Sequence, residues 1–262
     1  MARDQQRTQR AKNKPPSMFM LLAESRAFVE LGWFYSLRFL TRYLPKGDGH
    51  PVITLPGFLG SDGSTAPLRG VLNDIGYKAH PWGLGRNLTV SEKRDEELSE
   101  LLQEVYGRYD RKVSLVGWSL GGVFAREMAK MHPDLVRNVI SLGSPITPDQ
   151  NMTNAKALYE QMNGPIEEAH GERLSTVHEP PPVPTTSIFS KTDGVVAWQG
   201  SIQENADWHA DTENIEVPAA SHFGLGVNPL VMYLIADRLS QPEDEWSPFD
   251  QAGIPGLVFR QH

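Results

Sequence analysis

The chain has 262 residues, no cysteine, 39% hydrophobic and 22% charged residues, and a formal net charge of -7. Without cysteine, disulfides, thiolate zinc sites, cysteine-ligated iron-sulfur clusters and a thiol nucleophile are excluded, which leaves oxygen and nitrogen chemistry. The length suits one core with at most a small insertion, and the charge is uneven: residues 1–50 hold nine basic against four acidic side chains, a net of +5 against -12 in the remainder.

Residues 1–16 form a polar arm carrying Arg3, Arg7, Arg10, Lys12 and Lys14 against Asp4, a composition expected to stay disordered on its own. An anionic surface would attract the arm, but no aromatic residues interleave with the basic ones, so no nucleic-acid partner is expected. Residues 17–44 read as one long apolar helix, with Ser17 as cap and Phe19, Leu22, Phe28, Leu31, Trp33 and Phe34 spread around its circumference. Glu24, Arg26, Glu30, Arg38 and Arg42 interrupt it, leaving no run near the roughly 18 apolar residues of a membrane span. The helix is therefore expected to pack on the domain or on a second copy in a homo-oligomer, with peripheral membrane contact or a lid over the site as alternatives. No secretory signal pattern is present, so the expected location is cytoplasmic, with attachment to the membrane surface as the variant.

From Gly49 onward short apolar runs alternate with helical patterns, the mark of an α/β fold with a mostly parallel central sheet and helices on both faces. Val52-Ile53-Thr54-Leu55 is the first strand, residues 66–75 a helix, and Tyr77 to Pro81 a second strand. A helix capped by Thr89 or Ser91 runs to about Tyr109, with Leu98, Leu101, Leu102, Val105 and Tyr106 at three-and-four spacing and acidic residues near its positive end. Then come the strand Val113 to Val116, the sequence Gly117-Trp118-Ser119-Leu120-Gly121-Gly122, and a helix from about Val123 to Met131. A G-x-S-x-G sequence between a buried strand and a helix has the context a nucleophile elbow needs: Gly117 and Gly121 let strand and helix approach, Ser119 occupies the strained corner, and the helix start aims N-H groups at a developing oxyanion.

On these residues the chain resembles the α/β-hydrolase superfamily, in particular its serine esterases and bacterial lipases, over roughly residues 49–240. The resemblance implies that Leu55-Pro56-Gly57-Phe58-Leu59-Gly60 is the oxyanion loop, with the Phe58 and Leu120 amides as donors and Leu59 as the neighbouring alternative to Phe58. It also implies the chain order serine, acid, histidine. Asp193 follows the strand at Ser187-Ile188-Phe189, and His222 lies between the strand near Asn214 to Pro218 and a helix starting at Asn228 or Pro229. Asp207, Asp211 and His209 are weaker rivals, while His50 and His80 sit on early loops that could line the site. In these roles Ser119 attacks a carbonyl, His222 takes its proton and Asp193 orients the imidazole.

Residues 145–184 are too long for a plain connection and are expected to form a small cap, whose apolar residues favour a hydrophobic acyl group. Arg86, Trp118 and Phe223 are further candidates for lining the substrate, a small-molecule or lipid ester. No cofactor or metal is expected; Asp211, Glu213 and Glu216 read as a solvated face. Residues 241–262 form a C-terminal strap. The alternatives to an ester hydrolase are an acyltransferase or thioesterase with the same three side chains, and a noncatalytic membrane-associated binding protein of the same fold.

Overall fold

The computed structural model describes residues 14–166, 173, 175–203 and 211–262. The single helix expected over residues 17–44 is divided into helix α1 (Met18–Leu22), a 3₁₀ turn (Ala23–Arg26), helix α2 (Ala27–Ser36) and a second 3₁₀ turn (Arg38–Tyr43). The break has a geometric reason. In an unbroken α-helix Glu24 and Glu30 would point about 120° apart, whereas covering part of the path at the 3₁₀ rate of about 120° per residue brings them to within about 60°. Both glutamates are buried, while Phe19 and Phe28 are 79% and 80% exposed, so the two acidic interruptions face the body.

Six parallel strands follow, β1 (Pro51–Leu55), β2 (Lys78–Pro81), β3 (Val113–Trp118), β4 (Val136–Leu142), β5 (Thr185–Phe189) and β6 (Thr212–Glu216). The short strand β7 (Arg260–Gln261) pairs antiparallel to β6 and completes a sheet of order β2-β1-β3-β4-β5-β6-β7. The apolar runs alternate between faces, as a sheet covered on both sides requires. Val52, Val116 and Ile140 join one buried cluster with helix α3 (Asp62–Asp74) and, further along the chain, Pro229–Leu239; Ile53, Leu115 and Val139 join a second with helix α4 (Glu92–Tyr109) and helix α5 (Leu120–Met131). Helix α6 (Lys156–Asn163) lies in the insertion between β4 and β5, helix α7 spans Pro229–Leu239, and helix α8 spans Ile254–Val258.

Local signals account for most boundaries. The Ser91 hydroxyl accepts the Arg94 amide at 3.3 Å to start α4, and the Asn228 side chain accepts the Leu230 amide at 2.9 Å to start α7, which carries Pro229 in its first turn. Helix α3 begins four residues earlier than the apolar pattern indicates, at Asp62, whose carboxylate accepts the Trp82 amide at 3.0 Å and ties the helix start to the loop after β2. The strap is more than a cover, since its last residues supply β7.

Two expectations need correction. Glu213 is not on a solvated face: it is buried at the base of the strap, where its carboxylate accepts the Thr186 hydroxyl (2.8 Å), the Arg238 guanidinium (3.0 Å), the Phe249 amide (2.8 Å) and the Gln261 side chain (3.2 Å). His50 immediately precedes β1, at the edge of the sheet opposite the strand ends, and is fully buried with its ring nitrogens on Asp48 and on the Ser114 hydroxyl (2.8 Å). Burial and the charge of Arg137 push its pKa down to about 4, outweighing Asp48, which suits a neutral structural histidine. Among the described residues no helix is long and apolar enough to cross a membrane.

Candidate active site

Four loops, after β1, β3, β5 and β6, meet at the C-terminal edge of the parallel strands, on either side of the point where the chain order reverses between β1 and β3. The first turn after β3 holds Ser119 at φ 54° and ψ -123°, in the left-handed half of backbone space that a side chain rarely enters. The flanking glycines make this turn possible. A Cβ on Gly117 would lie 2.3 Å from the Gly121 carbonyl oxygen, and one on Gly121 would lie 2.3 Å from the Leu55 carbonyl oxygen, so strand, turn and helix touch through backbone alone. Gly121→Ala is accordingly expected to cost about 3 kcal/mol or more of stability, read as a lowered urea midpoint; an unchanged midpoint would contradict this contact.

The loop after β1 packs directly on the serine. A Cβ on Gly57 would stand 3.0 Å from Ser119 Cβ. Phe58, Ser119 and Leu120 border the same cavity. The Leu59 amide donates to the Asn87 carbonyl at 2.7 Å, which removes it as an oxyanion donor and leaves Phe58 as the loop's candidate. Asn87, fully buried, also gives its side-chain NH₂ to the Pro56 carbonyl at 2.8 Å and so holds the loop's shape.

Asp193 and His222 are joined after β5 and β6. Asp193 Oδ2 accepts His222 Nδ1 at 2.7 Å, and Oδ1 accepts the amides of Val195 and Val196, each at 2.8 Å. A carboxylate so surrounded by donors fixes the imidazole proton on Nδ1 and leaves Nε2 as an acceptor. Burial, the strongest influence on His222, disfavours its cation, but the charge and hydrogen bond of Asp193 together with the charge of Glu24 outweigh it and raise the pKa above the ordinary histidine value. The Trp118 indole donates to the His222 carbonyl at 3.0 Å and anchors the loop to the strand that carries Ser119.

The cavity beside Ser119 is mostly apolar, lined by Phe58, Val90, Val123, Tyr159, Ile166 and Val177 among others. Part of that lining, Tyr159, Ile166 and Val177, comes from the insertion between β4 and β5. Trp118 and Phe223 instead line a separate groove of about 640 Å³ between the N-terminal segment and the body. Arg86 is exposed and borders neither space. His80 lies on the edge strand, bonded to the Tyr109 hydroxyl at 3.1 Å, away from the serine loop. Asp211 precedes β6 and therefore sits at the opposite edge of the sheet, while Asp207 and His209 lie outside the described residues. No cluster of potential metal ligands occurs among the described residues.

The sequence assigned no supporting role to Asn87, which closes the site-lining loop candidate 83–87, or to Glu24, Arg26 and Glu30. Asn87 has no local pattern that marks it. The other three were visible as polar breaks in an apolar segment, a signal that was legible without saying what the breaks face.

The alpha/beta hydrolase family model matches residues 27–260, and the chain belongs to that family. Among curated proteins no sequence matches it. Solved structures similar to it include Aspergillus fumigatus lipase B, with a TM-score of 0.58 and 21% identity, covering 75% of this chain and 54% of that one. This chain thus spans about half the length of that lipase. A monoacylglycerol lipase from Paleococcus ferrophilus matches with a TM-score of 0.55 and 16% identity, covering 75% of this chain and 96% of that one. A pyrethroid hydrolase from Sphingobium faniae JZ-2 matches with a TM-score of 0.55 and 21% identity, covering 74% and 98%. At these identities the likeness establishes the fold, and family membership supports hydrolase chemistry.

Proposed function

We propose that the protein is a serine hydrolase that cleaves carboxylic esters with a hydrophobic acyl group through an acyl-serine intermediate. The observation that carries this reading is Ser119 held in a strained turn at the wall of an apolar cavity, on the same sheet edge as a buried Asp193–His222 couple. In the first half-reaction His222 Nε2 takes the Ser119 proton as Oγ bonds to the ester carbonyl carbon. The carbonyl pair moves onto oxygen, facing the Phe58 and Leu120 amides. Collapse breaks the carbon-oxygen bond to the alcohol, which leaves with the proton from His222. Water then repeats both steps on the acyl-serine and releases the acid.

Hydrolysis of p-nitrophenyl esters of graded length tests the substrate class. The reading expects kcat/KM to rise from acetyl to medium chains, and a preference for acetyl would count against it. A thioester or an alcohol acceptor that outcompetes water would favour a thioesterase or acyltransferase instead. The raised His222 pKa has a defined kinetic sign. The base works only when neutral, so the acidic limb of the kcat/KM profile should have its midpoint above about 6.5; a midpoint below that value would contradict the electrostatics described.

The exposed apolar face of α1, α2 and the following turn, which includes Phe19, Phe28, Trp33 and Tyr43, supports contact with a lipid surface where such esters reside. Arg42 lies over the Phe39 and Tyr43 rings, which adds a positive charge to this face. Cosedimentation with anionic vesicles tests this contact, and a dimer in their absence would point to a second copy instead.

A further inference from the structure

The polar breaks in the N-terminal segment converge on the two loops that carry Asp193 and His222. The Glu24 carboxylate accepts three backbone amides: Gly194 at 2.7 Å and His222 at 3.0 Å on Oε1, and Phe223 at 3.0 Å on Oε2. Glu30 accepts the Ser221 amide at 2.9 Å and the Asn228 side chain at 2.8 Å. Arg26 supplies the opposite polarity, donating to the carbonyls of Thr192 and Ala220, the latter at 3.1 Å. The residues on either side of Asp193 and the stretch 220–223 around His222 are therefore held by one short segment distant in sequence.

Apolar packing explains only part of this docking, since Phe34 joins the buried cluster with Leu31 and Leu44 packed against it. From Met18 to Tyr43 only Glu24, Glu30 and Phe34 are buried, while the aromatic residues point largely to solvent. Burying two carboxylates costs free energy unless every oxygen finds donors, and here each oxygen has at least one. The fit is close as well. A Cβ on Gly224 would fall 2.2 Å from Glu30 Oε2, and one on Gly194 would fall 2.3 Å from the Met20 carbonyl oxygen. Ala219, just before the histidine loop, is held at φ 55°, a conformation the surrounding contacts must maintain.

We propose that Glu24 is a positioning residue for the Asp193–His222 couple, fixing the spacing of their two loops and adding a negative charge beside His222. The proposal rests on the reading of Ser119, Asp193 and His222 as the catalytic set. The charged groups around the histidine loop are Asp193, Glu24, Glu30 and Arg26, with Trp118 and Leu225 as its uncharged neighbours. Of these groups, Asp193 and Glu24 are the ones that favour the His222 cation. Removing the Glu24 charge should therefore lower the His222 pKa, and removing its reach should loosen the couple.

The test uses the full chain and an activated ester. Glu24→Gln keeps the shape but has one accepting oxygen and no charge. Its kcat should fall about tenfold, within the range that small displacements of reacting groups produce, with KM changed little. The acidic limb of its kcat/KM profile should move to lower pH by about 0.5 unit or more, the scale of losing one nearby charge. Glu24→Asp keeps the charge and loses the reach, so kcat should fall while the limb stays in place. Arg38→Ala, which removes the Arg38–Asp74 ion pair of 2.5 Å at the far end of the same segment, should lower Tm without moving the limb. That comparison separates positioning from a merely structural role. If Glu24→Gln does not fold, hydrogen exchange on the unaltered protein decides: the amides of Gly194, His222 and Phe223 should exchange as slowly as those of β3 and β4. Fast exchange at these amides, or a Glu24→Gln enzyme with unchanged kcat and limb, overturns the proposal. Hydrolysis that survives Ser119→Ala would instead remove the underlying assignment, whatever Glu24 does.

Discussion

Ser119→Ala is expected to reduce kcat/KM by about 10⁴ or more, and to abolish the single labelling event that a fluorophosphonate should produce on the native protein. The size of the effect follows from the geometry around one oxygen. A serine hydroxyl is a weak nucleophile at neutral pH and needs both a base and an electrostatic cradle for the oxygen it attacks. The turn at φ 54° holds the Ser119 side chain at the sheet edge, the loop after β1 abuts it at Gly57, and the cavity wall is apolar. Removing Oγ leaves this frame untouched, because it rests on backbone contacts between Gly117, Gly121 and Leu55. The urea midpoint should therefore hold or rise slightly, as relief of functional strain allows. Labelling at any other residue, or turnover in the variant near the native rate, would refute the assignment.

Glu213→Ala should be the most damaging single change outside the site, at about 3–5 kcal/mol, with a fall in Tm of about 10 °C. Glu213 is the meeting point of β5, β6, α7 and the strap, through Thr186, Arg238, Phe249 and Gln261. Arg238 is itself buried and lies 5.2 Å over the Phe249 ring. Deleting the carboxylate strands part of a buried cation and unties the segment that supplies β7. Replacing both partners with leucine should recover much of the loss, since a packed apolar pair does not carry the desolvation cost of two ions. Thermal unfolding of the two single variants and the double variant measures this coupling. A loss below about 1 kcal/mol for Glu213→Ala would mean that the strap is held by its aromatic residues, Phe249 and Phe259 on Tyr233, rather than by the carboxylate.

The legible part of the site was the part encoded over short stretches. Ser119 stood out because strand, glycine, serine, glycine and helix are consecutive, the spacing that such a turn needs. Asp193 and His222 could be placed because each follows a short strand, and parallel strands deliver their following loops to one edge. Leu59 could not be separated from Phe58 in this way. The choice depends on Asn87, whose carbonyl takes the Leu59 amide from a loop distant in sequence. Trp118 and Phe223 adjoin Ser119 and His222 in sequence, yet they line the neighbouring groove.

The N-terminal segment marks the same boundary more sharply. Composition and periodicity marked residues 17–44 as helical, largely apolar and broken by charges, because those properties depend on each residue and its near neighbours. Which way the charges face was decided only by the tertiary structure. Two glutamates that a regular helix would place about a third of a turn apart are brought closer to one side by a 3₁₀ turn, and the amides they accept belong to loops 170 to 198 residues away. A backbone N-H has no identity in the sequence. Its availability as a donor depends on how a loop leaves its strand, so the chain alone can announce a buried carboxylate's need for partners but cannot name them.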